Sequence, residues 1–161
     1  MVALVGGRSQ STTGYTLNRA FQSHRQPGSS IKPLVVYTPA LENGYTANTI
    51  VDDHKFEGGP SNAGDTYHGK IKMREAVERS LNTVAWQIFE KLTPKVGISY
   101  LYKMDFSNIV QTDETQAACL GGLTNGVSPL EMAKAYATIE NDGAYRDPTC
   151  VTRITTSDGT K

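Results

Sequence analysis

A serine and a lysine lie three positions apart, as Ser29 and Lys32, in the stretch RQPGSSIKP at residues 25–33. A helix beginning near residue 30 would project both side chains from one face, within or close to hydrogen-bond reach of each other. A serine hydroxyl attacks effectively once a base removes its proton, and a lysine whose pKa is lowered by partial burial can be that base. This spacing is typical of a nucleophile and base for acyl transfer, although a capping serine followed by a solvated lysine has the same pattern.

A second polar pair, Ser80 and Asn82, interrupts the most regular amphipathic segment of the chain. Apolar residues recur there at helical spacing, at Met73, Val77, Val84, Ile88 and Leu92. On an unbroken helix, residues two apart point about 200° from one another, so this pair could not serve one site. A break would let both side chains converge, with Asn82 capping the second half. Periodicity alone favours the unbroken helix.

Two further helices must lie around these residues. Residues 30–42 have apolar side chains at helical spacing, followed by the stop signal Asn43-Gly44, and Pro39 is expected to interrupt or kink this helix. A later helix ends near residues 141–143. Its start combines a capping serine, a proline at the first helical position and an acid in the first turn, at Ser128, Pro129 and Glu131.

Short apolar runs at residues 2–7 (VALVGG) and 151–155 (VTRIT) are predicted to form strands. Residues 45–69 are rich in Gly, Asp, Asn and Ser and are predicted to form a long irregular segment. We expect this segment and the loop at 105–116 to form part of the rim of a substrate groove.

Composition excludes several classes of function. The 161 residues include 16 basic and 16 acidic side chains, so no basic stripe indicates a nucleic-acid or anionic membrane surface. No apolar run approaches the roughly 20 residues that span a bilayer. Cys119 and Cys150 have no CxxC spacing, and His24, His54 and His68 have no metal-ligand spacing. We therefore predict no metal and no organic cofactor, with the cysteines as free thiols or as one disulfide.

Four segments together resemble the transpeptidase domain of class A penicillin-binding proteins. They are RQPGSSIKP at 25–33, PALENG at 39–44, GKIKMREAVERSLNTVA at 69–85 and GGLTNGVSPLEMAKAYATIENDG at 121–143. The resemblance implies an α+β fold of the serine β-lactamase-like type, with an antiparallel sheet and a mainly helical subdomain. Residues 1–161 would be the N-terminal part of this single domain.

The resemblance also implies the roles of four side chains. The family's SxxK motif coincides with Ser29 and Lys32, and its SxN motif with Ser80 and Asn82. Ser29 would be the acylated nucleophile, Lys32 its base, Ser80 a proton relay to the leaving group and Asn82 a contact to the substrate amide. The implied function is cross-linking of peptidoglycan stem peptides by a D,D-transpeptidase that β-lactams acylate. Such an enzyme would act at the extracytoplasmic face of a bacterial cell membrane.

One feature of the family is absent from the sequence. Its third motif, KTG on a strand that lines the site, does not occur, and the terminal Gly159-Thr160-Lys161 has the reverse order. We therefore expect a second chain to supply the KTG strand. Two other interpretations stay open: a serine β-lactamase or penicillin-sensing domain with the same motifs, and a fragment that is catalytically incomplete by itself. The segment at 121–143 favours the synthetic enzyme over the β-lactamase.

Overall fold

The computed structural model describes residues 3–8, 14–149, 151, 153–157 and 159. In these residues the α-helices and strands follow the order α1 (Thr38–Glu42), β1 (Ile50–Asp53), β2 (Gly69–Lys72), α2 (Met73–Glu78), α3 (Asn82–Leu92), α4 (Pro94–Lys103) and α5 (Pro129–Glu140). Shorter 3-10 turns occupy Gly28–Ile31, Ala63–Asp65, Gln111–Asp113 and Gln116–Leu120, and a π-helix occupies Pro33–Tyr37. The architecture is mainly helical with one small antiparallel hairpin, consistent with the predicted α+β class.

Residues 28–42 form one continuous helical segment that changes its winding along its length. It begins as a 3-10 turn, widens into a π-helix and ends as α1. The widening lies directly before Pro39, which has no N–H for an α-helical bond, and the Thr38 N–H instead reaches the Pro33 carbonyl. The helix therefore passes through Pro39, and it stops at Asn43 before Gly44, whose φ is +90°.

The core lies where this segment packs against α3 and α4. Fully buried side chains from the three elements include Ile31, Leu34, Val35, Val84, Phe89, Ile98 and Leu101. Gly97 lets α4 approach closely, because a Cβ there would lie 2.6 Å from the Val35 carbonyl oxygen and would also overlap the Phe89 ring. Close packing of this kind fixes the orientation of residues 28–42 relative to α3 and α4.

The amphipathic run from residue 73 to residue 92 is broken, contrary to what periodicity alone favours. After α2, Ser80 has φ of +53° and Leu81 is extended, and α3 then starts at Asn82. The Leu81 N–H donates to the Ala76 carbonyl (3.0 Å) and the Ser80 N–H to the Val77 carbonyl (3.0 Å). These two bonds are those of a Schellman motif, which usually has glycine at the left-handed position. Leu81 is buried by this turn.

The strands also differ from the sequence prediction. β1 pairs with β2 in antiparallel register, from Ile50 opposite Lys72 to Asp53 opposite Gly69, within and just beyond the segment predicted to be irregular. The described residues of the two predicted strands, 3–7 and 151 with 153–155, are not in strands, and Val2 and Thr152 lie outside the described residues. A strand requires a hydrogen-bonding neighbour, which β1 finds in β2 across the long connection at residues 54–68.

The predicted start of α5 is confirmed. The Ser128 hydroxyl accepts from the Glu131 N–H (3.3 Å), and the Glu131 carboxylate accepts from the Ser128 N–H (2.7 Å). The other Glu131 oxygen accepts from the Ser107 N–H (2.7 Å), so this capping box also holds the preceding loop. Of the helices in the described ranges, none is long and apolar enough to cross a bilayer.

Candidate active site

Lys32 is the centre of the site. Its Nζ donates to the Ser80 carbonyl (2.7 Å), to the Ser80 hydroxyl (3.1 Å) and to the Asn82 side-chain oxygen (2.6 Å). The three acceptors match the three N–H groups of a lysine ammonium. The turn between α2 and α3 makes this possible, since it directs the Ser80 carbonyl and the side chains of Ser80 and Asn82, two positions apart in sequence, towards the same Nζ.

The environment of Lys32 favours the neutral amine more than water does. The residue is only 1% exposed. Burial lowers the pKa of Lys32 from 10.5 to about 8, and none of the described carboxylates forms an ion pair with it. The nearby thiol of Cys119 is neutral at physiological pH because burial raises its pKa to about 12. Lys32 is therefore charged at pH 7 but within about one pKa unit of acting as a base.

Ser29 lies one turn before Lys32, on the 3-10 turn Gly28–Ile31. The Lys32 N–H donates to the Ser29 carbonyl, and in a 3-10 turn residues three apart lie directly above one another. Ser29 is exposed. Within the described chain its hydroxyl makes no hydrogen bond, and the ammonium of Lys32 is directed at Ser80 and Asn82. The spacing thus places the two residues on one face, but the lysine contacts the second motif.

The turn that carries Ser29 is held from behind by residues 121–127. Gly121, with φ of +88°, approaches so closely that a Cβ there would lie 2.6 Å from the Cα of Gly28. Arg25 and Val127 form an antiparallel bridge with N–H to carbonyl distances of 2.9 and 2.8 Å. This brace explains why the segment GGLTNGV, 92 residues after the serine, belongs to the site.

The Gln26 side chain completes this brace, because it accepts from the Leu123 N–H (2.8 Å) and donates to the Leu123 carbonyl. From α5, the Tyr136 hydroxyl donates to the Ser30 carbonyl (2.8 Å). The 3-10 turn Gly28–Ile31 is therefore held through its backbone on two sides, while the Ser29 side chain itself is left open to solvent.

The amide of Asn82 is fixed at both ends. Its oxygen faces Lys32, and its Nδ2 donates to the Ser61 carbonyl (2.8 Å). Ser61 and the next residue, Asn62, belong to the connection between β1 and β2, which the sequence predicts only as part of a groove rim. Sequence reasoning therefore missed these contacts, and its one signal was the unusual length of that polar segment.

The three histidines are placed separately from this cluster. His24 lies 3.8 Å from Glu131, His54 lies 3.5 Å from Asp52, and His68 lies 2.8 Å from Asp53. No group of three or more His, Cys, Asp or Glu side chains in the described ranges could hold a metal ion. Cys119 is a buried free thiol, and Cys150 lies outside the described residues.

Comparison with known proteins identifies the family. The sequence model of the penicillin binding protein transpeptidase domain matches residues 1–161. The chain is 38% identical to penicillin-binding protein 4 of Bacillus subtilis over 159 residues, which are 96% of this chain and 25% of that protein. It is 37% identical to penicillin-binding protein 1A of Pseudomonas aeruginosa over 169 residues, covering 98% of this chain and 20% of that protein. The chain thus spans about a quarter or less of the length of these relatives.

Solved structures have the same fold. Penicillin-binding protein 1A from Haemophilus influenzae is similar with a TM-score of 0.77 and 30% identity, over 89% of this chain and 22% of that one. The PonA1 protein of Mycobacterium tuberculosis in complex with penicillin V is similar with a TM-score of 0.78 and 23% identity, over 92% of this chain and 43% of that one. Since the family model matches the whole chain, the protein belongs to the penicillin-binding protein transpeptidase family, as the four sequence segments predict.

Proposed function

We propose that this chain carries the acylation site of a peptidoglycan D,D-transpeptidase, with Ser29 as the nucleophile and residues 1–161 as the N-terminal part of one transpeptidase domain. The observation that supports this most strongly is the buried Lys32 ammonium, which joins Ser80 and Asn82 one turn away from an exposed serine. A solvated lysine behind a capping serine would have no reason to be buried against a second polar motif. The D-Ala-D-Ala specificity rests on the family resemblance.

In this proposal, Lys32 acts after it has lost one proton. The ammonium uses all three N–H groups, so the neutral amine keeps two and gains a lone pair. The two shorter bonds, to the Ser80 carbonyl and Asn82, are the ones expected to remain. The lone pair then accepts a proton, either from the Ser29 hydroxyl or from the Ser80 hydroxyl. Ser80 is thereby suited to pass protons between the lysine and a leaving group.

The reaction follows from these roles. The Ser29 oxygen attacks the penultimate D-Ala carbonyl of a stem peptide while its proton moves to the Lys32 amine. The C–N bond breaks, the proton reaches the departing D-Ala amine through Ser80, and an acyl-enzyme remains. An amine of a neighbouring stem peptide then attacks that ester and regenerates the serine. A β-lactam acylates the same oxygen by opening its ring, and its amine stays attached to the acyl group.

Ser29 is exposed to solvent on the side away from residues 121–127, and we propose that the KTG strand of the family lies on that side. The family's KTG strand is not part of this sequence, and we propose that a second chain carrying that strand covers the exposed serine. The proposed place of action is the extracytoplasmic face of a bacterial membrane, where stem peptides are found.

Labelling with a fluorescent penicillin tests the proposed nucleophile. We expect one label per molecule, located by mass spectrometry at Ser29 and absent in Ser29→Ala. Ser30→Ala is the matched control and should leave labelling intact, since among the described residues the Ser30 hydroxyl bonds only the Pro27 carbonyl (2.7 Å). Label retained in Ser29→Ala would contradict the proposed role of this serine.

Two further measurements distinguish the alternatives. A transpeptidase should hold the acyl group for many minutes, whereas rapid turnover of a chromogenic cephalosporin would indicate a β-lactamase. Labelling that appears only after a KTG-bearing chain is added would identify these 161 residues as incomplete by themselves. Absence of labelling both with and without that chain would refute the proposed function.

A further inference from the structure

The N-terminus of α3 is capped by a residue from another part of the chain. Asn62 lies in the connection between β1 and β2, and its side-chain oxygen accepts from the N–H groups of Asn82 (2.8 Å) and Thr83 (3.2 Å). These are first-turn groups, which have no acceptor inside their own helix. The residue at the usual capping position is Leu81, whose side chain offers none. The start of α3 therefore depends on Asn62.

The other half of the Asn62 amide is held by a buried carboxylate. Its Nδ2 donates to Asp53 (2.6 Å) and to the Thr66 carbonyl (3.0 Å). Asp53 is fully buried at the end of β1 and also accepts from the Thr83 hydroxyl and from the His68 backbone N–H (2.9 Å) and Nδ1 (2.8 Å).

The charge of Asp53 fixes which way the amide of Asn62 points. Burial alone would raise the pKa of Asp53, but the bonds from Thr83, His68 and Asn62 outweigh it and lower that pKa. An ionised carboxylate only accepts hydrogen bonds, so Asn62 must direct its NH2 group to Asp53 and its oxygen to α3. The ionised carboxylate of Asp53 thus holds the amide of Asn62 in one orientation.

We propose that Asn62, locked by Asp53, is a positioning residue for the cluster of Lys32, Ser80 and Asn82. The inference rests on the proposed function of that cluster. Asn62 fixes the backbone of Asn82, and the adjoining Ser61 carbonyl takes its Nδ2, so that the Asn82 oxygen is left to face Lys32. Without the cap, the backbone N–H groups of Asn82 and Thr83 lose their acceptor, and the Asn82 oxygen, which accepts the shortest hydrogen bond of Lys32, is held less firmly.

Asn62→Ala tests the inference in the penicillin-reactive form of the protein, with the KTG strand present. We expect the rate of acylation to fall about 10- to 100-fold, as for a small displacement of a catalytic group. The final amount of label per folded molecule should stay the same. Hydrogen exchange at the Asn82 and Thr83 backbone N–H groups should be at least about tenfold faster, since the Asn62 oxygen is their acceptor among the described residues. Asn43→Ala, which removes an amide that bonds the Pro39 carbonyl, is the control and should change neither quantity.

Asn62→Asp supplies a rescue that simple destabilisation would not. When protonated, the new carboxyl group has one O–H donor for Asp53 and one oxygen that can accept from α3, and it loses only the second donor of the amide, which bonds the Thr66 carbonyl. Two carboxyl groups this close share one proton, which raises one of their pKa values. His68 is the third titratable group that faces Asp53, and it is common to both proteins. The acylation rate of the variant, divided by that of the wild type, should therefore rise as pH falls from about 8 to about 5.5.

The outcomes separate this inference from the proposed function. A wild type that penicillin does not label refutes the proposed function alone, and amide exchange then decides whether Asn62 holds Asn82. Slow exchange retained in Asn62→Ala refutes the positioning role whatever the labelling result. Fast exchange with an unchanged acylation rate would make Asn62 a purely structural cap, and the inference would be wrong. If Asn62→Ala does not fold, the rate ratio of Asn62→Asp decides, and a ratio independent of pH overturns the proposal.

Discussion

Replacement of Lys32 by methionine should show by how much burial of the ammonium lowers the free energy of unfolding. The pKa of Lys32 is about 8 in the folded protein, against 10.5 for an ordinary lysine. At about 1.4 kcal/mol per pKa unit, this difference means that the charged lysine lowers the free energy of unfolding by about 3 kcal/mol at neutral pH. Lys32→Met removes that cost, while Ser80 and Asn82, which are not fully buried, can bind water in place of the lysine.

The sign of the pH dependence follows from the two protonation states. Below pH 8 the lysine is charged in both the folded and the unfolded chain, so the full penalty applies. Between about pH 8 and 10.5 the unfolded chain binds more protons, and the stability of the wild type rises with pH. The advantage of Lys32→Met should therefore shrink by about 2 kcal/mol between pH 7 and pH 9.5.

Urea unfolding followed by the fluorescence of Trp86 measures this difference at each pH. Tyr37, whose pKa is raised by burial, is present in both proteins and cancels in the comparison. Lys72→Met, at an exposed lysine, is the matched control for loss of one positive charge. A difference between Lys32→Met and the wild type that stays constant from pH 7 to pH 9.5 would refute the argument, because it would show that the buried lysine does not titrate differently on folding.

Two further changes test the packing around the site. Gly97→Ala should destabilise the fold by about 1–3 kcal/mol, because its Cβ overlaps a ring and a carbonyl. Gly14→Ala should change little, because none of the described atoms lies within 4 Å of its Cβ position, and thermal or urea unfolding of both variants decides. Burial alone would raise the pKa of Glu131, but hydrogen bonds from Ser107 and Ser128 lower it. The ionised carboxylate therefore stabilises the folded state at pH values above the usual glutamate pKa, and this stabilisation is lost as the pH falls. Acid titration should therefore bring the stability of the wild type towards that of Glu131→Gln, and curves that stay parallel down to about pH 3 would contradict this.

Some elements of the fold depend only on residues close together in the sequence and could be predicted from it. The start of α5 is an example, because Ser128 and Glu131 accept from each other's backbone N–H groups, and Pro129, at the first helical position, has no N–H to satisfy. The break before α3 is different. Ser80 takes a left-handed conformation where a glycine would signal it, and the apolar spacing continues on both sides. The burial of Leu81 favours the turn, and burial is a property of the whole fold.

The sequence by itself determined the residue types of the site, the single turn that links Ser29 to Lys32, and the family to which the chain belongs. Only the tertiary structure decided what those residues contact. A buried ammonium must find three acceptors, and Lys32 finds them 48 and 50 residues away, at a turn whose helix is capped by Asn62. Such partners are chosen by the requirement that every buried polar group be satisfied, and sequence spacing cannot express that requirement, since it acts between segments that only folding brings together.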